Sequence, residues 1–316
     1  MKAIVFYATY GHWTQSLLDA GYDVLGHYQP DVMIDPDSHM QQDRLSNIVL
    51  LMNFPNIPIK KDFPEEIDLM VGSPPCIGFS RASPISRLDH PCNEHTLNFA
   101  KQVIKIQPKY FLMEMVPEIL TKGRLLFDEY IKIVDKDYNV DCAVMEASKF
   151  GSAQRRNRLY IWGKRWDQDI TIDSPLCNLD ERMPKSIGEA IPEELSKYYD
   201  HYKPDTRMLM PVERVDGGFR KGPFSLLSTP EKRARRTLTR HNVSFTLVKF
   251  STHNMLYDRR KLKRFFAIPE LSRIMGFPVE YRWPNKNVQE VSRMIASGVD
   301  IRFATYLLSH IRNMIE

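Results

Sequence analysis

Residues 4–24 read IVFYATYGHWTQSLLDAGYDV, and the pattern of this stretch decides the fold class. Ile4 to Ala8 is a short apolar run of the kind that forms a buried strand. Trp13 to Ala20 has the length of a two-turn helix, and Gly21 suits its C-terminal cap. A strand, a tight loop and a helix at the head of an α/β chain frame a nucleotide-like cofactor, through a loop that is usually rich in glycine. Here the loop ATYGHW carries one glycine and three rings, those of Tyr10, His12 and Trp13.

Outward from that unit the alternation continues. YDVLGHY is a second strand, and IDLMVGSPP is a third that must stop at Pro74 and Pro75. HTLNFAKQVIKI spaces Leu97, Ala100, Val103 and Ile104 as a helix does. KYFLMEMV, NVDCAVMEA and RLYIWG read as further strands. Such continuous apolar runs fit a parallel sheet covered on both faces, so the fold class expected is α/β. From about Trp166 the pattern breaks into prolines and basic clusters such as EKRARR and DRRKLKR, and VSRMIASGVDIRFATYLLSHIRNMI regains helical spacing. The expected organisation is a catalytic α/β domain over 1–166, a smaller domain over 167–287, and a C-terminal helix over 288–316 that returns to the first.

The chain has 316 residues and a net charge of +5, with 43% hydrophobic and 26% charged residues, the composition of an ordinary globular protein. Residues 201–264 hold 16 Lys and Arg against 5 Asp and Glu. That segment is strongly basic and the remainder mildly acidic, a distribution that suits a polyanion partner or a solvated loop surface equally well. Cys76, Cys92, Cys142 and Cys177 form no CxxC pair, so neither a metal site nor a disulfide framework is expected. No apolar run reaches the length of a membrane span, and MKAIVFYATYG reads as a strand, not a leader. An intracellular protein, cytoplasmic or nucleoid-associated, with no membrane partner is the simplest account.

Three segments carry candidate chemistry. In VGSPPCIGFS, Cys76 follows a buried strand at the carboxyl edge of the sheet, where α/β proteins build their sites. A thiol there is a nucleophile if cations or a helix N-terminus lower its pKa, and a core residue otherwise. FLMEMVPE delivers Glu114 to the same edge, as a proton donor or a salt-bridged acid. In QRRNR, strand alternation points Gln154, Arg156 and Arg158 to one face, with Arg155 and Asn157 opposite. Two guanidiniums on one face need anions or acceptors to be buried.

PPC, an acid ending the next strand, and QRRNR before the last strand, in this order and spacing, resemble the cytosine-5 DNA methyltransferase family. RFFAIPELSRIMGFPVEY is similar to that family's late segment, with Glu270, Arg273 and Gly276-Phe277-Pro278 matching and Pro269 one place late. The resemblance spans Phe6 to Leu308, and the basic part between about 167 and 262 stands where the family keeps its target-recognition domain. It implies a Rossmann-like class I methyltransferase sheet acting on a cytosine flipped from double-stranded DNA, by a monomer of bacterial or phage type. One branch of the family modifies transfer RNA, so RNA is the alternative substrate. Cys76 would attack C6, Glu114 would engage N3, Arg156 would hold the base, Arg158 would support the loop from beneath, and Gln154 completes the catalytic set. No metal is implied.

The departures from the family collect at the cofactor. The pattern F-x-G-x-G becomes Phe6-Tyr7-Ala8-Thr9-Tyr10, followed by Gly11. The acid for the ribose becomes Gln29, the Gly-Asn pair near the C-terminus becomes Ala296-Ser297, and E-N-V becomes Glu114-Met115-Val116. Asp62 matches the acid that meets the adenine, and Pro74 completes the expected lining with Ser297. Three readings follow: S-adenosylmethionine-dependent methylation; the same C5 chemistry with a folate one-carbon carrier or a modified S-adenosylmethionine, stacked on Tyr7, Tyr10, His12 and Trp13, of which at least two are expected to pack in the helix and core instead; or a degenerate nucleic-acid-binding regulator.

Overall fold

Strand side chains alternate between faces, so an apolar run buried on both sides must feed two separate cores. The computed structural model of the chain has this arrangement. It describes residues 1–28, 39–60, 66–76, 78–79, 90–169, 171, 173–191, 210–211, 237–239, 241–248, 255–257 and 262–316. Gln29, Asp62 and most of the basic segment 201–264 lie outside the described residues.

Strands β1 (Lys2–Phe6), β2 (Asp23–Tyr28), β3 (Leu69–Gly72), β4 (Tyr110–Met115), β5 (Tyr138–Glu146) and β7 (Asn157–Arg165) form one sheet in the order β2-β1-β3-β4-β7-β5. The first four run parallel. β7 is antiparallel to both β4 and β5, which corrects the all-parallel expectation for this half of the sheet. The reason is the short connection from β5 to β7. It holds one 3-10 turn and the two-residue strand β6 (Gln154–Arg155), too little for the crossover that a parallel pair requires.

On one face Ile4, Phe6, Met70, Phe111, Met113, Leu159 and Ile161 pack against α3 (Glu94–Ile106) and α4 (Arg124–Val134). Their neighbours Ala3, Val5, Leu69, Val71, Leu112, Tyr160 and Trp162 pack on the other face. That second core is closed by α1 (His12–Asp19), α2 (His39–Asn53), α6 (Ile268–Met275), α7 (Val288–Ala296) and α8 (Ile301–Ile315). At β3 the sheet and α3 approach so closely that a Cβ on Gly72 would lie 2.5 Å from the Phe99 ring.

The C-terminal periodic segment is two helices. It breaks because Gly298 adopts φ 109 and Asp300 caps α8, accepting a hydrogen bond from the Phe303 N–H at 3.1 Å. α8 returns to α1, where the Tyr22 hydroxyl donates to the Leu308 carbonyl at 3.0 Å and Arg312 to the Gly21 carbonyl at 2.7 Å. The remainder is a short helix α5 (Ile187–Ala190) and a four-stranded sheet in the order β8-β12-β11-β9, built from β8 (Met210–Pro211), β9 (Thr237–Thr239), β11 (Met255–Tyr257) and β12 (Leu262–Phe265). Strand β10 (Ser244–Phe245) leaves that group and pairs in parallel with β6. Among the described residues no helix is long and apolar enough to cross a membrane.

Candidate active site

The carboxyl ends of β3 and β4 lie side by side, so residues following Gly72 and residues ending at Met115 share one edge. Ser73, Pro74 and Pro75 lead from β3 to Cys76. Pro74 is buried and the Ser73 hydroxyl accepts from the Trp13 indole N–H at 2.8 Å, which ties this loop to α1. The Phe79 N–H returns to the Cys76 carbonyl at 3.1 Å, and a Cβ on Gly78 would stand 2.1 Å from Asn93 Oδ1. Cys76 is thus held on a turn that packs Gly78 against the Asn93 side chain.

Cys76 is half-buried. Burial pushes its thiol up to about 11, and the Glu114 carboxylate pushes in the same direction. Arg158, the Val116 N–H and Arg156 pull it back. Glu114 is 5% exposed, and Arg158 Nε lies 2.7 Å from its Oε1. Parity explains the meeting. Glu114 is paired with Tyr160 across the β4–β7 ladder, and Arg158 is two residues from Tyr160, on the same face.

Arg156 goes elsewhere. It is 2% exposed, and its Nη2 donates to the Ala296 carbonyl at 3.1 Å and to the Gly298 carbonyl at 2.5 Å. Its Nη1 donates to the Leu247 carbonyl at 3.4 Å, and its Nε is buried with no acceptor among the described residues. The guanidinium therefore sits on the C-terminal end of α7, where helix carbonyls favour a cation. Burial and the neighbouring Arg158 draw its pKa down to about 10. The sequence reading gave the base to Arg156 and the supporting place to Arg158. By distance it is Arg158 that meets Glu114, with Arg156 beneath on carbonyls.

Gln154 is fully buried and its amide is spoken for on both sides. Nε2 donates to Asp300 Oδ2 at 2.8 Å and Oε1 accepts from the Leu247 N–H at 3.2 Å. Asp300, which the sequence reading passed over, is also fully buried and accepts from the Ser152 hydroxyl. Burial raises its pKa. Its only sequence signal was an acid directly before a helical run, which reads as a cap and no more.

At the cofactor positions, Phe6 is stacked on Tyr28 at 6.2 Å between centroids. Ala8 is fully buried, and Tyr10 is 5% exposed within the second core, with its carbonyl accepting from the Tyr281 hydroxyl at 2.7 Å. Tyr7, His12 and Trp13 are likewise buried, so none of the four rings presents an open face on which a flat carrier could stack. Tyr7 is engaged with His95 at 3.0 Å and with the Asn98 amide at 2.9 Å. His12 donates from Nε2 to the Ile295 carbonyl at 3.0 Å, and burial lowers its pKa to about 3, so the ring is neutral. The Ser297 hydroxyl turns back to the Arg293 carbonyl at 2.8 Å.

The residues present still fit the amino-acid end of S-adenosylmethionine. Among the described residues the Thr9 hydroxyl oxygen is buried without a partner, and α1 opens at Gly11, φ 80, with no side chain capping it. Its first-turn N–H groups can therefore take a carboxylate. A Cβ on Gly11 would meet the Phe54 ring and the Tyr281 hydroxyl at 2.5 Å, so this one glycine is required where the other two are replaced. Among the described residues no cluster of His, Cys, Asp and Glu could hold a metal ion.

Comparison with known proteins bears on the family and the fold. The model of the C-5 cytosine-specific DNA methylase family matches residues 51–313. The type II methyltransferase M.MthTI of Methanothermobacter thermautotrophicus is 26% identical over 82% of this chain and 83% of that protein. M.NgoPII of Neisseria gonorrhoeae is 24% identical over 81% of this chain and 80% of its own length. Among solved structures, the Entamoeba histolytica methyltransferase EhMeth superposes with a TM-score of 0.68 at 13% identity, covering 100% of this chain and 99% of that one. The S. pombe Dnmt2 methyltransferase gives 0.63 at 18% identity, covering 98% and 97%.

Proposed function

Because the chain belongs to the C-5 cytosine-specific DNA methylase family, we propose that it methylates C5 of a cytosine flipped out of duplex DNA. The observation that carries the proposal is the juxtaposition of a half-open Cys76 with a buried Glu114 oriented by Arg158. A regulator that merely bound DNA would have no use for that thiol.

In this reading the Cys76 thiol gives its proton to the Glu114 carboxylate, directly or through water, and attacks C6 of the cytosine as a thiolate. The new C–S bond pushes electrons toward N3 and C5. Glu114, having taken up a proton, faces the N3 edge and donates that proton to N3 as negative charge develops there, while Arg158 holds the carboxyl group in place. C5 becomes nucleophilic and accepts the one-carbon group. Water takes the C5 proton, N3 returns its proton to Glu114, and departure of the Cys76 thiolate restores the ring. Arg156 and Gln154 keep the strand that carries Arg158 in register without touching the base.

S-adenosylmethionine, when bound, supplies an electrophilic methyl group. Gly11 and the first turn of α1 would take its carboxylate, with Thr9, Phe6, Pro74 and Ser297 around it and Gln29 and Asp62 toward its nucleoside. A folate carrier has no support, since the four rings proposed to stack on it are buried in the protein's own core. The basic segment 201–264 would contact DNA phosphates.

The test is mass spectrometry of nucleosides from cells expressing the chain. 5-Methylcytosine in DNA is the expected product. A different C5 substituent would redirect the donor assignment, and unmodified DNA beside new 5-methylcytosine in RNA would redirect the substrate.

A further inference from the structure

Asp300 is fully buried, and among the described residues no Lys or Arg nitrogen is in ion-pair contact with it, the Arg302 guanidinium acting on it only from a greater distance. Burying a carboxylate in this way is costly. Capping α8 does not require it, because Ser or Asn caps a helix as well. A carboxylate adds a second acceptor oxygen. Oδ1 takes the Phe303 N–H, and Oδ2 is left to accept from both the Ser152 hydroxyl and the Gln154 amide.

That second oxygen fixes Gln154. An amide can turn over and exchange its donor and acceptor ends, but a carboxylate accepts only. Asp300 thus forces Nε2 of Gln154 downward and Oε1 toward the Leu247 N–H. Leu247 belongs to the stretch that lies along the catalytic strand. Ser244 N–H donates to the Ala153 carbonyl at 2.7 Å, Ser244 and Phe245 pair with Gln154 and Arg155, and the Thr246 hydroxyl donates to the Arg155 carbonyl. The Leu247 carbonyl receives Arg156. Segment 244–248 joins the basic part of the chain to β6, the short strand that runs directly into β7 and Arg158.

We propose that Asp300 is a positioning residue: by fixing the orientation of the Gln154 amide it seats segment 244–248 on the catalytic strand in one register. The proposal rests on the base-handling role given above to Cys76, Glu114 and Arg158. It makes α8 the anchor that aligns the DNA-contacting part of the chain with the reacting thiol.

The test exchanges the acid across one hydrogen bond. Asp300→Asn keeps the cap oxygen and the volume, so α8 still forms. The Nδ2 it introduces then opposes Gln154 Nε2, and if Gln154 turns over, Nε2 opposes the Leu247 N–H. Adding Gln154→Glu removes both conflicts, because the introduced carboxylate accepts from the new amide at position 300 and from the Leu247 N–H. Hydrogen exchange on the full chain should show the Leu247 amide opening about tenfold faster in Asp300→Asn and protected again in the double variant. With a random-sequence duplex carrying 5-fluorocytosine and with S-adenosylmethionine, adduct formation at saturating DNA should slow about tenfold in the single variant, while duplex affinity shifts less than about threefold. The double variant should react faster than the single one. Unchanged Leu247 exchange in Asp300→Asn, or no recovery of that protection in the double variant, overturns the proposal. A wild-type chain that binds the duplex and gives no adduct overturns the base-handling reading instead, and Leu247 exchange still decides the role of Asp300.

Discussion

Arg158 Nε stands 2.7 Å from Glu114 Oε1 where β4 and β7 come to their shared edge, with both groups largely shielded from water. Such a pair is worth more for orientation than for stability, because desolvation offsets much of its attraction. Arg158→Lys keeps the charge and loses the planar fork that fixes the carboxylate. The expected result is a rate of adduct formation lower by about tenfold to a hundredfold with a melting temperature within a few degrees of wild type. Equal rates for the two proteins would remove Arg158 from the mechanism.

Cys76 carries the second prediction. With its thiol pushed up to about 11 by burial and by Glu114, it is protonated at neutral pH in the free protein. The thiolate fraction then grows about tenfold per pH unit. Alkylation of Cys76 by iodoacetamide, read by mass spectrometry at that residue, should climb with unit slope from pH 7 to 9. Glu114→Gln removes a negative neighbour and frees Arg158, so Cys76 should alkylate faster at any given pH. A flat pH profile, or slower alkylation in that variant, contradicts the account.

The third prediction concerns acid stability. Burial lowers His12 to about 3 and His27 to about 4. Above about pH 6.5 both rings are neutral in the folded and the unfolded chain, and they add no pH dependence. Below it the unfolded chain takes up protons that the folded one refuses, so stability falls as pH falls, by about 1.4 kcal/mol per pH unit per histidine. The loss continues until the folded-state values are reached. His12→Gln retains an Nε2 donor for the Ile295 carbonyl, and its melting temperature should depend less steeply on pH between 6 and 4 than that of wild type.

How far the sequence carried this picture differs from one segment to the next. Apolar runs located every strand of the main sheet: in the inner strands burial on both faces leaves a signal in each residue, and the half-exposed edge strand β5 still carries its β-branched and apolar residues. Direction was lost at β7, since an antiparallel pair differs from a parallel one in its connection and not in its strand composition. Helix α2 also went unread. Exposed Ile48 and Leu51 on α2 share it with inward-facing Val49 and Leu50, which blurs the helical stripe. At the site, alternation placed Gln154, Arg156 and Arg158 on one face. It could not say which arginine reaches Glu114, because that is fixed by carbonyls of α7 more than a hundred residues away. The rings of the first loop read as a candidate stacking surface for the same reason: nothing local records that Tyr10 and Trp13 are buried in the second core, with Tyr281 on the Tyr10 carbonyl and Ser73 on the Trp13 indole.

The central claim is a covalent bond between Cys76 and C6 of a flipped cytosine, and trapping measures it directly. The full chain is incubated with a random-sequence duplex containing 5-fluorocytosine and with S-adenosylmethionine, and the denatured products are weighed by mass spectrometry. The account predicts a denaturant-stable species at the mass of chain, DNA and one methyl group, absent from Cys76→Ser. Duplex bound by the wild-type chain without such a species, or the same species surviving in Cys76→Ser, would contradict it.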